Sequence, residues 1–84
     1  MSVKKLSIGS QIKSYRIKLK LTQQELAERS ELSLPFMNLV ENDKRNLSVE
    51  TLLKILEVLL LIDYNKSIKT FTKLKGVSHD YINH

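Results

Sequence analysis

Residues 22–41 carry the start signals of two short helices that are separated by a break of a few residues. Thr22 and Glu25 have the spacing of a capping box, in which the hydroxyl accepts a hydrogen bond from a first-turn amide and the carboxylate reaches back to the amide of the capping residue. Ser33 can cap a second helix, and Pro35 then falls in its first turn, where a missing amide proton costs little. The stretch is therefore predicted to be helix, tight turn, helix.

The second of these helices has one anchored face. Met37 and Val40 are three residues apart and share a side of the helix, whereas Leu34, Asn38 and Leu39 point elsewhere. Two short helices joined by a turn of about four residues, with one face packed, form a helix-turn-helix. The rest of the chain is interpreted around this motif.

Hydrophobic spacing and caps predict an all-α, five-helix bundle. Residues 63–75 have a second interpretation, because the alternation of Ile68, Thr70, Thr72 and Leu74 also fits an edge strand. The helices are expected at about 8–19, 22–30, 33–41, 48–61 and 63–75. The domain boundaries follow: a basic arm (1–7), a helix-turn-helix domain (8–62), a dimerisation helix or strand (63–76) and a mobile tail (77–84).

Charge is distributed unevenly along the chain. Residues 1–20 contain six basic side chains and no acidic one, whereas residues 21–60 contain four basic and seven acidic side chains. The basic residues at 1–20 fit a polyanionic partner such as nucleic acid. The alternative is that they form a solvated lysine-rich surface with no partner. The chain has no cysteine, no apolar run of about 18 residues and no signal-peptide pattern. We therefore expect a cytoplasmic protein.

Candidate chemistry is sparse. His79 and His84 lie near the end of the chain, and zinc would need three or four converging ligands that no motif supplies. The two glycines, Gly9 and Gly76, are too far apart to form a phosphate-binding loop. No Ser–His–acid set suggests itself, so the sequence predicts neither an enzyme nor a cofactor or metal site.

The run from Ile8 to about Leu60 resembles the DNA-binding domain of the lambdoid phage repressor and Cro proteins, the Cro/CI-type (XRE-type) family of bacterial and phage regulators. The resemblance rests on residues 12–23, on Glu25-Leu26-Ala27, and on Glu41 with Lys44-Arg45-Asn46. It implies a two-fold dimer that places a recognition helix, here residues 33–41, in the major groove of double-stranded DNA.

The resemblance also implies roles for individual residues. Arg16 and Glu41 match a structural ion pair that joins the first helix to the end of the recognition helix. The matching phosphate-contacting positions are Lys13, Thr22, Gln23, Lys44, Arg45 and Asn46, and the matching base-contacting positions are Ser33, Leu34, Pro35, Asn38 and Leu39. For the dimer interface, the expected residues are Val58, Leu61, Ile62, Tyr64, Ile68 and Phe71.

The sequence departs from the family pattern at the base-contacting positions. Leu34, Pro35 and Leu39 cannot form bidentate hydrogen bonds to bases, which leaves thymine methyl contacts and the polar side chains of Ser33 and Asn38. Glu31 and Asp43 stand where relatives often have glycine, so left-handed turns are expected there.

The favoured function is a sequence-specific, dimeric repressor or autoregulator on a palindromic operator, of which a restriction–modification controller is one example. The alternatives are an antitoxin-type regulator related to HipB, with a toxin partner, or an interaction module that binds a protein through its apolar surface.

Overall fold

The computed structural model describes residues 7–75, and all regular structure in that range is α-helical. The helices are α1 (Ile8–Lys18), α2 (Gln23–Arg29), α3 (Leu34–Glu41) and α4 (Val49–Lys75). The predicted all-α helix-turn-helix class is confirmed. The predicted tail at 77–84 and nearly all of the predicted arm at 1–7 lie outside the described residues.

The predicted count of five helices is wrong, because the last two form one continuous helix. α4 runs for 27 residues through the boundary expected near residue 62. No glycine or proline interrupts this stretch, so nothing in the chain forces the backbone ladder to break there. The same observation decides against the strand alternative for residues 63–75.

Each of the first three helices begins at a side-chain cap. The Ser7 and Ser33 hydroxyls accept hydrogen bonds from the backbone amides of Ser10 and Phe36. At α2 the capping box is complete: Thr22 Oγ1 accepts from the Glu25 amide at 3.0 Å, and Glu25 Oε1 accepts from the Thr22 amide at 2.9 Å. The caps anticipated at Thr22 and Ser33 are therefore present in the structure.

All three helices also end in the same way, with a left-handed residue that is not glycine. Lys20, Glu31 and Asp43 have φ angles of 61°, 59° and 58°, and they follow α1, α2 and α3 in turn. The expectation of left-handed turns at Glu31 and Asp43 is confirmed. The turn at Lys20 was not anticipated from the sequence.

The N-terminus of α1 presses against the end of α3 at Gly9. A Cβ atom at this position would lie 2.2 Å from the carbonyl oxygen of Val40 and 2.6 Å from Asp43 Oδ1. The Asp43 carboxylate accepts hydrogen bonds from the Gly9 amide, at 3.1 Å, and from the Ser7 hydroxyl. Only glycine permits this approach without displacing the backbone of α3.

The core lies where α1, α2 and α3 meet the first half of α4. Leu26, Met37, Ile55 and Leu59 are fully buried. Its buried apolar residues are Ile12, Leu19, Leu21, Leu26, Ala27, Met37, Val40, Ile55, Leu59 and Ile62. Since two core residues, Met37 and Val40, belong to α3, the helix has one face fixed in the bundle and the opposite face outside it.

Candidate nucleic-acid interface

A buried ion pair fixes the end of α3 against α1. Arg16 Nε lies 2.8 Å from Glu41 Oε2, and Arg16 Nη2 lies 3.0 Å from Glu41 Oε1, so the contact is bidentate. The side chains are 11% and 1% exposed respectively. Arg16 Nη1 also donates to the carbonyl oxygen of Leu21 at 2.8 Å, which links the pair to the segment before α2. Such a fork is a strong, directional contact, and it holds three elements together.

Gln23 lies at the other side of the same carboxylate. Its Nε2 donates to Glu41 Oε1 at 3.1 Å, and its Oε1 accepts from Asn38 Nδ2 at 3.4 Å. Gln23, a predicted phosphate contact, therefore has its side chain turned towards α3. Asn42 extends the network, because its Nδ2 donates to the Asn38 carbonyl oxygen at 2.9 Å and to Asn38 Oδ1 at 3.3 Å. No sequence motif indicated a role for Asn42.

The five residues predicted to contact bases all lie on the exposed side of α3 or at its cap. Leu34 and Leu39 are 42% and 40% exposed, which is unusual for leucine on a short helix with a packed face. The five are Ser33, Leu34, Pro35, Asn38 and Leu39. The structure thus places together a surface with two leucines, a proline, one amide and one capping hydroxyl.

The loop that follows α3 presents the predicted phosphate-contacting residues Lys44, Arg45 and Asn46, all of them exposed. Arg45 does not extend freely into solvent, because its guanidinium carbon sits 5.4 Å from the centre of the Phe36 ring. A cation over an aromatic face at this distance is an attractive contact. It ties the loop to the first turn of α3. Lys13, on α1, is exposed, and the Thr22 hydroxyl is occupied by the helix cap.

Among residues 7–75, two titratable groups have clearly shifted pKa values. The backbone amide of Thr22 and its hydroxyl lower the pKa of Glu25 below the ordinary range, as expected for a carboxylate that accepts hydrogen bonds. The hydrogen bond from Tyr15 Oη to Asp63 Oδ2, 2.5 Å long, raises the pKa of Tyr15, and burial adds to the rise. The first group stabilises the start of α2, and the second joins α1 to α4.

The second half of α4 exposes several large apolar residues. Leu61, Tyr64 and Phe71 are 62%, 63% and 52% exposed. Ile68 and Val58 are half-buried. Leu60, which the sequence analysis did not place at an interface, is also exposed, and with Leu61 and Tyr64 it lines a shallow groove.

Ile62 differs from the other predicted interface residues. It is 8% exposed and belongs to the core of its own chain. It follows Leu59 by three residues and so points inward with it, which leaves little area for a partner.

Within residues 7–75, no group of three or more histidine, cysteine or acidic side chains is arranged to hold a metal ion. His79 and His84 lie outside that range. No helix in the described part of the chain is both long and apolar enough to cross a bilayer.

A short helix with one packed face, one exposed face and a second helix braced across a tight turn defines the class of helix-turn-helix DNA-binding proteins. The family model described as "Helix-turn-helix" matches residues 12–62, more than half of the chain. The protein belongs to this family, the XRE-type DNA-binding transcriptional regulators. The motif residues quoted above for the Cro/CI-type resemblance all lie within or at the edge of the matched range.

One curated relative is the propionyl-CoA carboxylase regulator of Cereibacter sphaeroides, which is 41% identical over 51 residues. The match covers 61% of this chain and 11% of that protein, so the chain spans only a small part of its relative's length. No solved structure gave a significant match.

Proposed function

We propose that this protein is a repressor or autoregulator that binds a palindromic operator in double-stranded DNA as a homodimer. The observation that carries the proposal is the rigid presentation of α3. The Arg16–Glu41 pair and the Gly9–Asp43 contact fix one face of the helix, and its other face is open. A helix held in this way can enter the major groove without losing conformational freedom on binding.

The phosphate grip is assigned to residues on both flanks of α3. Lys44, Arg45 and Asn46 follow α3 in the chain, and Thr22 and Gln23 lie at the start of α2. Gln23 uses one amide hydrogen on Glu41, and its second amide hydrogen has no partner among the described residues. Lys13 adds a cation on α1. These contacts would set affinity and register but carry no sequence information.

Base selection is assigned to the exposed face of α3. The methyl groups of Leu34 and Leu39 suit the C5-methyl of thymine, and Pro35 adds apolar area beside them. Asn38 is the one side-chain amide on this face, and Ser33 supplies a hydroxyl at its edge. An operator rich in A·T pairs within each half-site is the expectation.

The dimer is assigned to the outer surface of the second half of α4. Leu61, Tyr64, Ile68 and Phe71 recur at steps of three and four residues, and an apolar surface of this kind favours a helical partner. A second copy is the partner that a two-fold operator requires. Restriction–modification control and antitoxin-type pairing with a toxin are subtypes of this proposal, and flanking genes would distinguish them.

The test is selection of a preferred duplex from a random pool, followed by titration at several salt concentrations. We expect a two-fold sequence with half-sites about one helical turn apart. The logarithm of the affinity should fall linearly with the logarithm of salt, with a slope near −0.9 for each neutralised phosphate. Failure to bind any duplex in a salt-sensitive way would contradict the proposal and favour the protein-interaction alternative.

A further inference from the structure

A chain of side-chain hydrogen bonds leads from the buried ion pair to the exposed face of α3. Gln23 Nε2 donates to Glu41 Oε1 at 3.1 Å, and Asn38 Nδ2 donates to Gln23 Oε1 at 3.4 Å. Asn42 Nδ2 then donates to Asn38 Oδ1 at 3.3 Å. Four side chains from α2, α3 and the residue after α3 are thus connected in one direction.

That direction is set by Glu41. Both oxygens of this carboxylate accept hydrogen bonds from Arg16, so Gln23 must turn its amino group towards it. The side-chain oxygen of Gln23 then faces Asn38, which must donate to it through its own amino group. The orientation of an amide is ordinarily free to invert, but here each inversion would place two acceptors against each other.

The Asn38 side-chain amide keeps one hydrogen-bond donor and one acceptor available. Its nitrogen has a second hydrogen, and its oxygen has a second lone pair, with no partner among the described residues. One donor and one acceptor on a single amide match the N7 and N6 positions of adenine in the major groove. We propose that Gln23 is a positioning residue for base selection, which transmits the orientation of the Glu41 carboxylate to Asn38 so that Asn38 selects adenine. This inference rests on the proposed function.

The simpler role for Gln23 is a phosphate contact alone. In that case its loss would weaken binding to every sequence equally, because phosphates are the same at every base pair. A positioning role predicts a different signature. Loss of Gln23 should lower the preference for the base pair that Asn38 contacts, and should do so only while Asn38 is present.

The first experiment is a double-mutant cycle on the preferred duplex and on a duplex with the contacted A·T pair replaced by G·C. Gln23→Met keeps the side-chain length and removes both hydrogen bonds, and Asn38→Ala removes the selecting amide. The matched control is Gln24→Met, because Gln24 lies next along α2 and, within the part of the chain that the structure describes, its side-chain amide bonds only to the exposed Glu28.

In the wild type and in Gln24→Met we expect roughly 5- to 150-fold discrimination between the two duplexes, the range for a bidentate pair. Gln23→Met should lose most of that ratio, and should change it no further in the Asn38→Ala background. An unchanged ratio in Gln23→Met, with a uniform loss of affinity, would overturn the proposal.

A second measurement needs no DNA. In ¹⁵N-labelled free protein, Gln23→Met should shift the side-chain amide signals of Asn38, whereas Gln24→Met should leave them in place. Unmoved Asn38 signals would overturn the positioning role even if the protein binds DNA. Conversely, shifted signals in a protein that binds no duplex would establish the hydrogen-bond relay and contradict its use in base selection, together with the proposed function.

Discussion

Arg16 and Glu41 form a bidentate contact that crosses from the last turn of α1 to the last residue of α3, with the carboxylate almost completely buried. Because Glu41 also accepts from Gln23, one carboxylate serves the packing of the bundle and the orientation of the exposed face. We therefore expect both to depend on the positive charge of Arg16.

Replacing Arg16 by methionine should destabilise the fold strongly. The substitution leaves a buried carboxylate without its counter-charge, which typically costs about 3–5 kcal/mol. Urea unfolding followed by circular dichroism would measure the change. Lys18→Met, on the exposed side of the same helix, is the control and should change the free energy of unfolding by no more than about 0.5 kcal/mol. A loss below about 1 kcal/mol for Arg16→Met would show that the pair is not the structural joint described here.

Replacing Gly9 by alanine should destabilise the protein although alanine is the better helix former. The new methyl group would meet the Val40 carbonyl oxygen at 2.2 Å, and that oxygen belongs to backbone that cannot turn aside as a side chain can. Overpacking of this kind costs about 1–3 kcal/mol. Ser14→Ala, at an exposed site on α1, should instead leave stability unchanged or raise it slightly. Thermal unfolding of the pair would measure both, and equal melting temperatures would contradict the close approach.

The alkaline limb of stability should depend on Tyr15. Since the folded state raises the pKa of this phenol, its contribution is complete below the ordinary tyrosine pKa and is lost as pH rises through the folded value. Tyr15→Phe should cost about 1 kcal/mol near neutral pH, and this difference from wild type should shrink above about pH 10. Ser14→Ala, at an exposed site on the same helix, is the control and should follow the wild-type curve. Parallel curves for wild type and Tyr15→Phe up to pH 11 would contradict the assignment.

The acid limb should depend on Glu25. The folded state lowers the pKa of its carboxyl, so the contribution is present above the ordinary glutamate pKa and is lost as pH falls through the folded value. Glu25→Gln keeps a capping-box side chain that does not titrate, so this variant should lose less stability than wild type on acidification below about pH 4.5. Glu28→Gln, one turn further along α2, is the control, and it should lose as much stability as the wild type between pH 6 and pH 3. Unfolding curves at pH 3 and pH 6 give the comparison.

Self-association should depend on the exposed apolar residues of α4. Substituting Tyr64 by glutamate places a charge in the centre of the proposed interface, which should convert a dimer into a monomer at micromolar concentration while the helical content is retained. Light scattering coupled to size exclusion would measure the mass. Lys54→Glu, on the first half of α4, is the control and should remain dimeric. A monomeric wild type would contradict the dimer directly.

Much of the framework could be predicted from local sequence signals. The Thr22–Glu25 box and the Ser33 cap with Pro35 are short-range patterns with a clear physical basis, and they placed α2 and α3 to within a residue. The left-handed turns at Glu31 and Asp43 followed from the family pattern, in which glycine is frequent at these positions. These features depend on neighbours in the chain.

What could not be predicted depends on contacts between distant segments. The need for glycine at position 9 was not predicted, because only the approach of Val40 and Asp43 shows why a side chain cannot be accommodated there. The break expected near residue 62 came from hydrophobic spacing that predicted a separate helix at 63–75, whereas the chain has no glycine or proline there to end a helix. The Gln23–Asn38 hydrogen bond joins residues 15 positions apart, and no sequence pattern indicates it.

The uninterrupted course of α4 has a geometric consequence for the dimer that we propose. A straight α-helix advances about 1.5 Å and turns about 100° per residue, so the angle between its buried residues and its outer surface is a matter of residue count. Deleting one residue after Ile62 would rotate the following part of α4 by about 100° relative to the buried residues before it, and would leave the helix-turn-helix unchanged. In the dimer that we propose, the distance between the two recognition helices, and with it the spacing of the half-sites, would thus be set by the helical phase of α4 rather than by the length of a loop.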